Sequence, residues 1–170
     1  MGSLKKDSII FIIIVIIFLL FILTIEPPKP KEFVNDKAVL NYSNALFDYK
    51  IMRYPTSIEI GSPEDGNVNL GFVTDPWNLK FGVIPGNGSY VRRYVNIKNS
   101  KEKYSLINLE AYGNISSMIN FSKNNFVLNE NESAAVEIDL YTNSSEPGNY
   151  SGEIDIIIKV PKYDFLDVLM

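Results

Sequence analysis

Glu137/Asp139 and Glu153/Asp155 are carboxylate pairs at i, i+2 spacing. Such pairs cleave glycosidic bonds when one acid is desolvated and holds a proton. Here both pairs alternate with aliphatic residues, in Val136–Leu140 and Ile154–Ile156. That alternation places the acids on the solvated side of strands, where they act as ordinary surface charge. The chain has no His and no Cys, so the commonest general base and the thiolate nucleophile are both missing. Its serines lack a nucleophile-elbow context. Asp65, Asn67 and Asn69 begin like a calcium loop, but the glycine position holds Leu70 and the bidentate position holds Pro76. The reading is non-enzymatic, with no catalytic, cofactor-binding or metal-binding residue and no cofactor.

Two other groups of residues have chemistry to offer. Asn41, Asn87, Asn114, Asn120, Asn131, Asn143 and Asn149 each start an Asn-x-Ser triplet. These are candidate N-glycosylation acceptors, and most fall in segments rich in turn formers. Trp77, Tyr90 and Tyr94, with Tyr104 and Tyr112 behind them, are candidates for stacking on a sugar or other flat ligand.

The elements that position these residues begin with an anchor. Ile9–Ile25 is apolar except for Thr24. Its 17 residues would span ~25 Å as a helix, with Ser8 and a snorkelling Lys6 extending the reach. Lys5 and Lys6 precede it and place residues 1–8 in the cytoplasm. A cleaved signal peptide is the rival reading, but no small-x-small site follows the run. The expectation is a single-pass protein of the cell membrane that contacts the bilayer through residues 9–25. From Glu26 onward 14 Lys/Arg face 19 Asp/Glu, with no basic stripe, which argues against a nucleic-acid partner.

Residues 26–53 read as a Pro-rich spacer and juxtamembrane segment. Pro27, Pro28 and Pro30 stiffen its start. Val39, Leu40, Leu46, Phe47 and Ile51 fit a loose helical stripe, and a short helix is favoured over a first strand. Residues 54–162 turn β. Short alternating runs are centred on Ile58, Leu70, Phe81, Val95, Leu109, Val127, Ile138 and Ile156, with Gly-, Pro- and Asn-rich turns between them. The fold class expected is all-β, an antiparallel β-sandwich. The tail, residues 163–170, either frays or packs back on the domain.

Leu79-Lys80-Phe81-Gly82-Val83-Ile84-Pro85-Gly86 resembles the opening of immunoglobulin-like modules of the major-sperm-protein and Hydin type. Arg93–Asn99 is similar to the strand that follows it there. Glu146-Pro147-Gly148-Asn149-Tyr150-Ser151-Gly152-Glu153-Ile154 resembles the last hairpin of related modules in archaeal and bacterial envelope proteins. The resemblance covers about residues 75–161 and implies an immunoglobulin-like sandwich acting as a spacer or binding platform. The function expected is therefore structural, adhesive or protein-interacting, outside the cytoplasm, with an envelope protein or glycan as partner. Two alternatives stand beside it: a carbohydrate-binding module, and an accessory subunit of a surface filament, since archaellum stator proteins are similar in layout.

Overall fold

The computed structural model describes residues 6–23, 27–61, 79–86, 88–142 and 146–169. Among the described residues a helix, α1 (Lys6–Leu23), precedes nine strands: β1 (Ala38–Ser43), β2 (Phe47–Gly61), β3 (Leu79–Pro85), β4 (Tyr90–Lys98), β5 (Ser105–Gly113), β6 (Ile119–Phe121), β7 (Phe126–Leu128), β8 (Ser133–Tyr141) and β9 (Gly148–Pro161). The expected all-β class is observed, and the strand pairs are antiparallel except β2 with β3.

The strands form two sheets. The larger has the order β1-β2-β9-β5-β7, with β3 also on β2, and the smaller has the order β4-β8-β6. β9 lies along one edge of β2 from Phe47 to Ile60. The other edge is shared: β1 takes Asp48–Arg53 and β3 takes Thr56–Gly61. Period-2 alternation decides which side of each strand is dry. Ile138 and Leu140 of β8 pack with Ile154 of β9 and Ile58 of β2, joining the two sheets. Val136 similarly meets Leu109 and Ile156. Each fully buried Ile or Leu contributes about 1.5–3 kcal/mol relative to exposure.

Two expectations are corrected, and a third is decided between its alternatives. Residues 33–53 hold no helix; they contain β1 and the first half of β2. Phe47, Tyr49, Ile51 and Arg53 are buried on one side of β2, and Tyr54 packs against the sandwich core on the other. Val39 and Leu40 are adjacent and exposed on the edge strand β1, and read together with Phe47 and Ile51 they imitated a helical stripe. The sandwich consequently extends well ahead of residue 54. The tail does pack back: a 3-10 turn over Asp164–Leu169 buries Leu166 against Phe47 and Tyr49. Lys103 Nζ pairs with Asp164 Oδ1 at 2.8 Å beside it.

α1 covers residues 9–23 of the stretch 9–25 expected to span a bilayer, and 24–25 lie outside the described residues. Among the described residues no helix is long and apolar enough to cross a membrane. The side chains described run from Ser8 to Leu19, a length of ~18 Å against a hydrocarbon core of ~30 Å. The run at Val68–Phe72, the calcium-like Asp65–Asn69, Trp77, Asn87 and Asn143 also lie outside the described residues.

Candidate functional site

β4 and β8 run antiparallel, with Tyr90 opposite Tyr141, Arg92 opposite Asp139 and Tyr94 opposite Glu137. Val91, Val95, Val136, Ile138 and Leu140 take the core side, so the partners just named share the outward face. Tyr90 and Tyr94 are 62% and 65% exposed. The Tyr90 and Tyr141 rings lie 5.9 Å apart at 24°, an offset, nearly parallel arrangement favoured by the ring quadrupoles. Asn120 of β6 is exposed opposite Asp139 and completes the face.

A fixed charge network underlies the rings. Arg92 donates to Asp139 through Nε at 2.6 Å and Nη2 at 2.8 Å, a bidentate fork. Its Nη1 reaches Glu137 Oε2 at 2.8 Å. Tyr141 donates to Asp139 Oδ2 at 3.4 Å. Asp139 is only 5% exposed although it faces outward, because Arg92 and Tyr141 close over it. The hydrogen bond from Arg92 holds the Asp139 carboxyl below the usual carboxylate range, against an opposing effect of desolvation. The same bond, followed by that to Tyr94, raises Arg92 above its ordinary value.

The outward side of the larger sheet carries a second cluster. Arg53 of β2 donates to Asp155 of β9 through Nε at 2.8 Å and Nη2 at 2.7 Å, and its Nε lies 3.3 Å from Glu153 Oε2. Glu153 and Asp155 are 0% and 1% exposed. Their expected place on a wet face is therefore wrong. The residues ahead of β1 cover them: Val34 N–H donates to Glu153 Oε1, and Pro27, Pro28 and Lys29 wall a cavity of about 130 Å³ with Glu110, Tyr112 and Asp155. The Pro-rich segment is a strap against the sheet. Phe33 of this strap seats over Gly113, where a Cβ would come within 3.2 Å of the ring. On β5 Tyr112 donates to Glu110 Oε2. Burial first, then that bond, pushes the Tyr112 phenol above its ordinary value.

Of the seven triplet asparagines, Asn41, Asn114, Asn120, Asn131 and Asn149 are described, and all five are exposed. Asn114 accepts from Ser151 N–H through Oδ1 at 2.7 Å, which leaves its amide nitrogen outside that bond. Asn131 sits in a turn with φ of 57°. Among the described residues no group of three or more Asp and Glu is arranged to hold a metal ion.

The structure brings Tyr90 and Tyr94 onto one face as candidates for stacking. Tyr104 and Tyr112 lie elsewhere, on or just ahead of β5. The sequence reading missed Tyr141 and the Arg92–Asp139 fork. The alternation Glu137, Asp139, Tyr141 along β8 was the available signal for the face, but the β4–β8 register is not encoded locally. The chain matches no protein-family model, no curated protein and no solved structure.

Proposed function

We propose that the chain is a non-catalytic, immunoglobulin-like β-sandwich that α1 anchors in a cell membrane and that works outside the cytoplasm as an adhesive or protein-interaction module. The observation that carries this reading is the surface of α1. Every residue from Ile9 to Leu19 is apolar, and each is 39–67% exposed. A helix apolar on all sides has no face suited to water and is at home in lipid. Lys5 and Lys6 ahead of the apolar run favour a cytoplasmic N-terminus. Five exposed triplet asparagines suit a surface that meets the glycosylation machinery. The lack of His and Cys supports a non-catalytic role, as does the engagement of the buried Asp155 and Glu153 by Arg53.

Membrane fractionation and protease treatment of intact cells test the proposal together. The full chain should pellet with membranes, resist carbonate extraction and dissolve in detergent. Protease added outside should digest the sandwich. Extraction by carbonate, or a sandwich protected until the cells are lysed, overturns the reading.

A further inference from the structure

We infer that the outward face of β4 and β8 binds an uncharged oligosaccharide, stacking its rings on Tyr90–Tyr141 and on Tyr94. The inference rests on the extracytoplasmic placement proposed above and names the ligand class of that module.

Three features of the face select this ligand. The first is its composition. The outward positions of β4 are Tyr90, Arg92, Tyr94, Asn96 and Lys98, and those of β8 are Ser133, Ala135, Glu137, Asp139 and Tyr141. Its apolar area is aromatic, apart from the Ala135 methyl. Protein interfaces also enrich Tyr and Arg but deplete Lys, Glu and Asp at their core, whereas this face sets Lys98, Glu137 and Asp139 among its rings. Tyrosine rings offer flat apolar faces to C–H groups and hydroxyls to polar ones, as a sugar requires.

The second is charge complementarity. The cations Arg92 and Lys98 balance the anions Glu137 and Asp139 on this face, and Arg92 bonds both acids. A face neutralised within itself complements an uncharged, hydroxyl-rich ligand. It offers no net attraction to a phosphorylated, sulfated or strongly charged one.

The third is preorganisation. Asp139 is dry and forked by Arg92, with Tyr141 also donating to it. Acceptors and donors are therefore fixed before a ligand arrives, which lowers the ordering cost of binding. Tyr90 and Tyr94 are four residues apart on one strand, ~13 Å by the strand rise. Two stacking points so far apart suit an extended oligosaccharide better than a single sugar.

The test uses the full chain in lipid nanodiscs on a microarray of neutral and uronic-acid oligosaccharides. The tightest neutral ligand is then titrated against wild type, Tyr90→Ala, Tyr94→Ala and Tyr141→Ala. The exposure of Tyr90 and Tyr94 keeps the core intact in those variants, and near-ultraviolet circular dichroism verifies it. Each alanine variant should bind about tenfold more weakly, while Tyr94→Phe, which keeps the ring, should stay within about threefold of wild type. Failure to bind any neutral oligosaccharide, preference for the uronic acids, or affinity unchanged in all three alanine variants overturns the inference. So does a protein partner whose cross-links map to Tyr90 and Tyr94 while the array stays blank. Binding is read on purified chain and protease access on intact cells, so failure of one leaves the other result standing.

Discussion

Arg53 is the cation of a cluster whose two carboxylates, Glu153 and Asp155, are both dry. Removing one partner of a buried ion pair leaves an uncompensated charge, which costs more than the pair contributes. Arg53→Met should therefore lower unfolding stability by about 3–5 kcal/mol, read from urea denaturation. Adding Glu153→Gln and Asp155→Asn to it should recover most of that loss. A single variant as stable as wild type would mean water reaches the acids. The titrating groups give the sign at each end of the pH scale. The folded state lowers the Asp139 pKa from 3.8, so its contribution is complete above that value. It fades as acid takes the pH down through the depressed folded value. The Tyr112 pKa is raised from 10.0, so its contribution is complete below pH 10 and is lost as base carries the pH up toward the folded value. Denaturant midpoints measured across pH should fall on both flanks, and Tyr112→Phe should flatten the alkaline one.

At the scale of elements, the strands that cover one wet and one dry side were legible from sequence. The run centred on Val127 is a strand, and the aliphatic residues of β8 and β9 face the core as expected, although the acids of β9 are buried too. β1 and the first half of β2 were not legible as a pair, because β1 is an edge strand whose adjacent Val39 and Leu40 are both exposed, and joining them to Phe47 and Ile51 gives a helix-like spacing. The alternation of Phe47, Tyr49 and Ile51 with exposed Asp48 and Lys50 is a local signal, whereas the pairing of β1 with β2 is not. The Tyr90–Tyr141 pair illustrates the same limit for the site. Each ring is visible in its own strand, but their meeting depends on a register between segments about fifty residues apart. Glycines are more telling where β5 and β9 pair, with Gly113 opposite Gly152. A Cβ on Gly152 would lie 1.8 Å from the Tyr112 carbonyl oxygen and 2.9 Å from its carbon. Backbone cannot yield as a side chain does, so Gly152→Ala should force β9 off register beyond that point. The expected loss is about 3 kcal/mol, at the upper end of ordinary overpacking, with hydrogen-exchange protection lowered on both strands. Native-like protection in this variant would refute the close approach.

For the molecule as a whole, the question is where the folded unit begins. Sequence placed a free, stiff spacer between helix and sandwich, with the domain starting near residue 54. The structure instead lays residues from Pro27 onward against the outward side of the larger sheet. Val34 donates to a carboxylate that is otherwise out of reach of water, and a hydrogen bond to such a charged group contributes about 1.5–3 kcal/mol. Phe33 covers the backbone at Gly113. The strap is therefore part of the sandwich's stability as well as its tether. A chain starting at Pro27 should unfold at the same urea midpoint as the detergent-solubilised full chain, because it keeps every contact of the strap. A chain starting at Ala38 keeps all nine strands but opens Glu153, Asp155 and Arg53 to solvent. It should lose about 2–4 kcal/mol, the Val34 bond together with the apolar cover of the strap. Its backbone amides on β5 and β9 should exchange faster near Gly113 and Gly152 than elsewhere. Equal midpoints for the two truncations would make the strap a passive tether and return the start of the folded unit to the first strand.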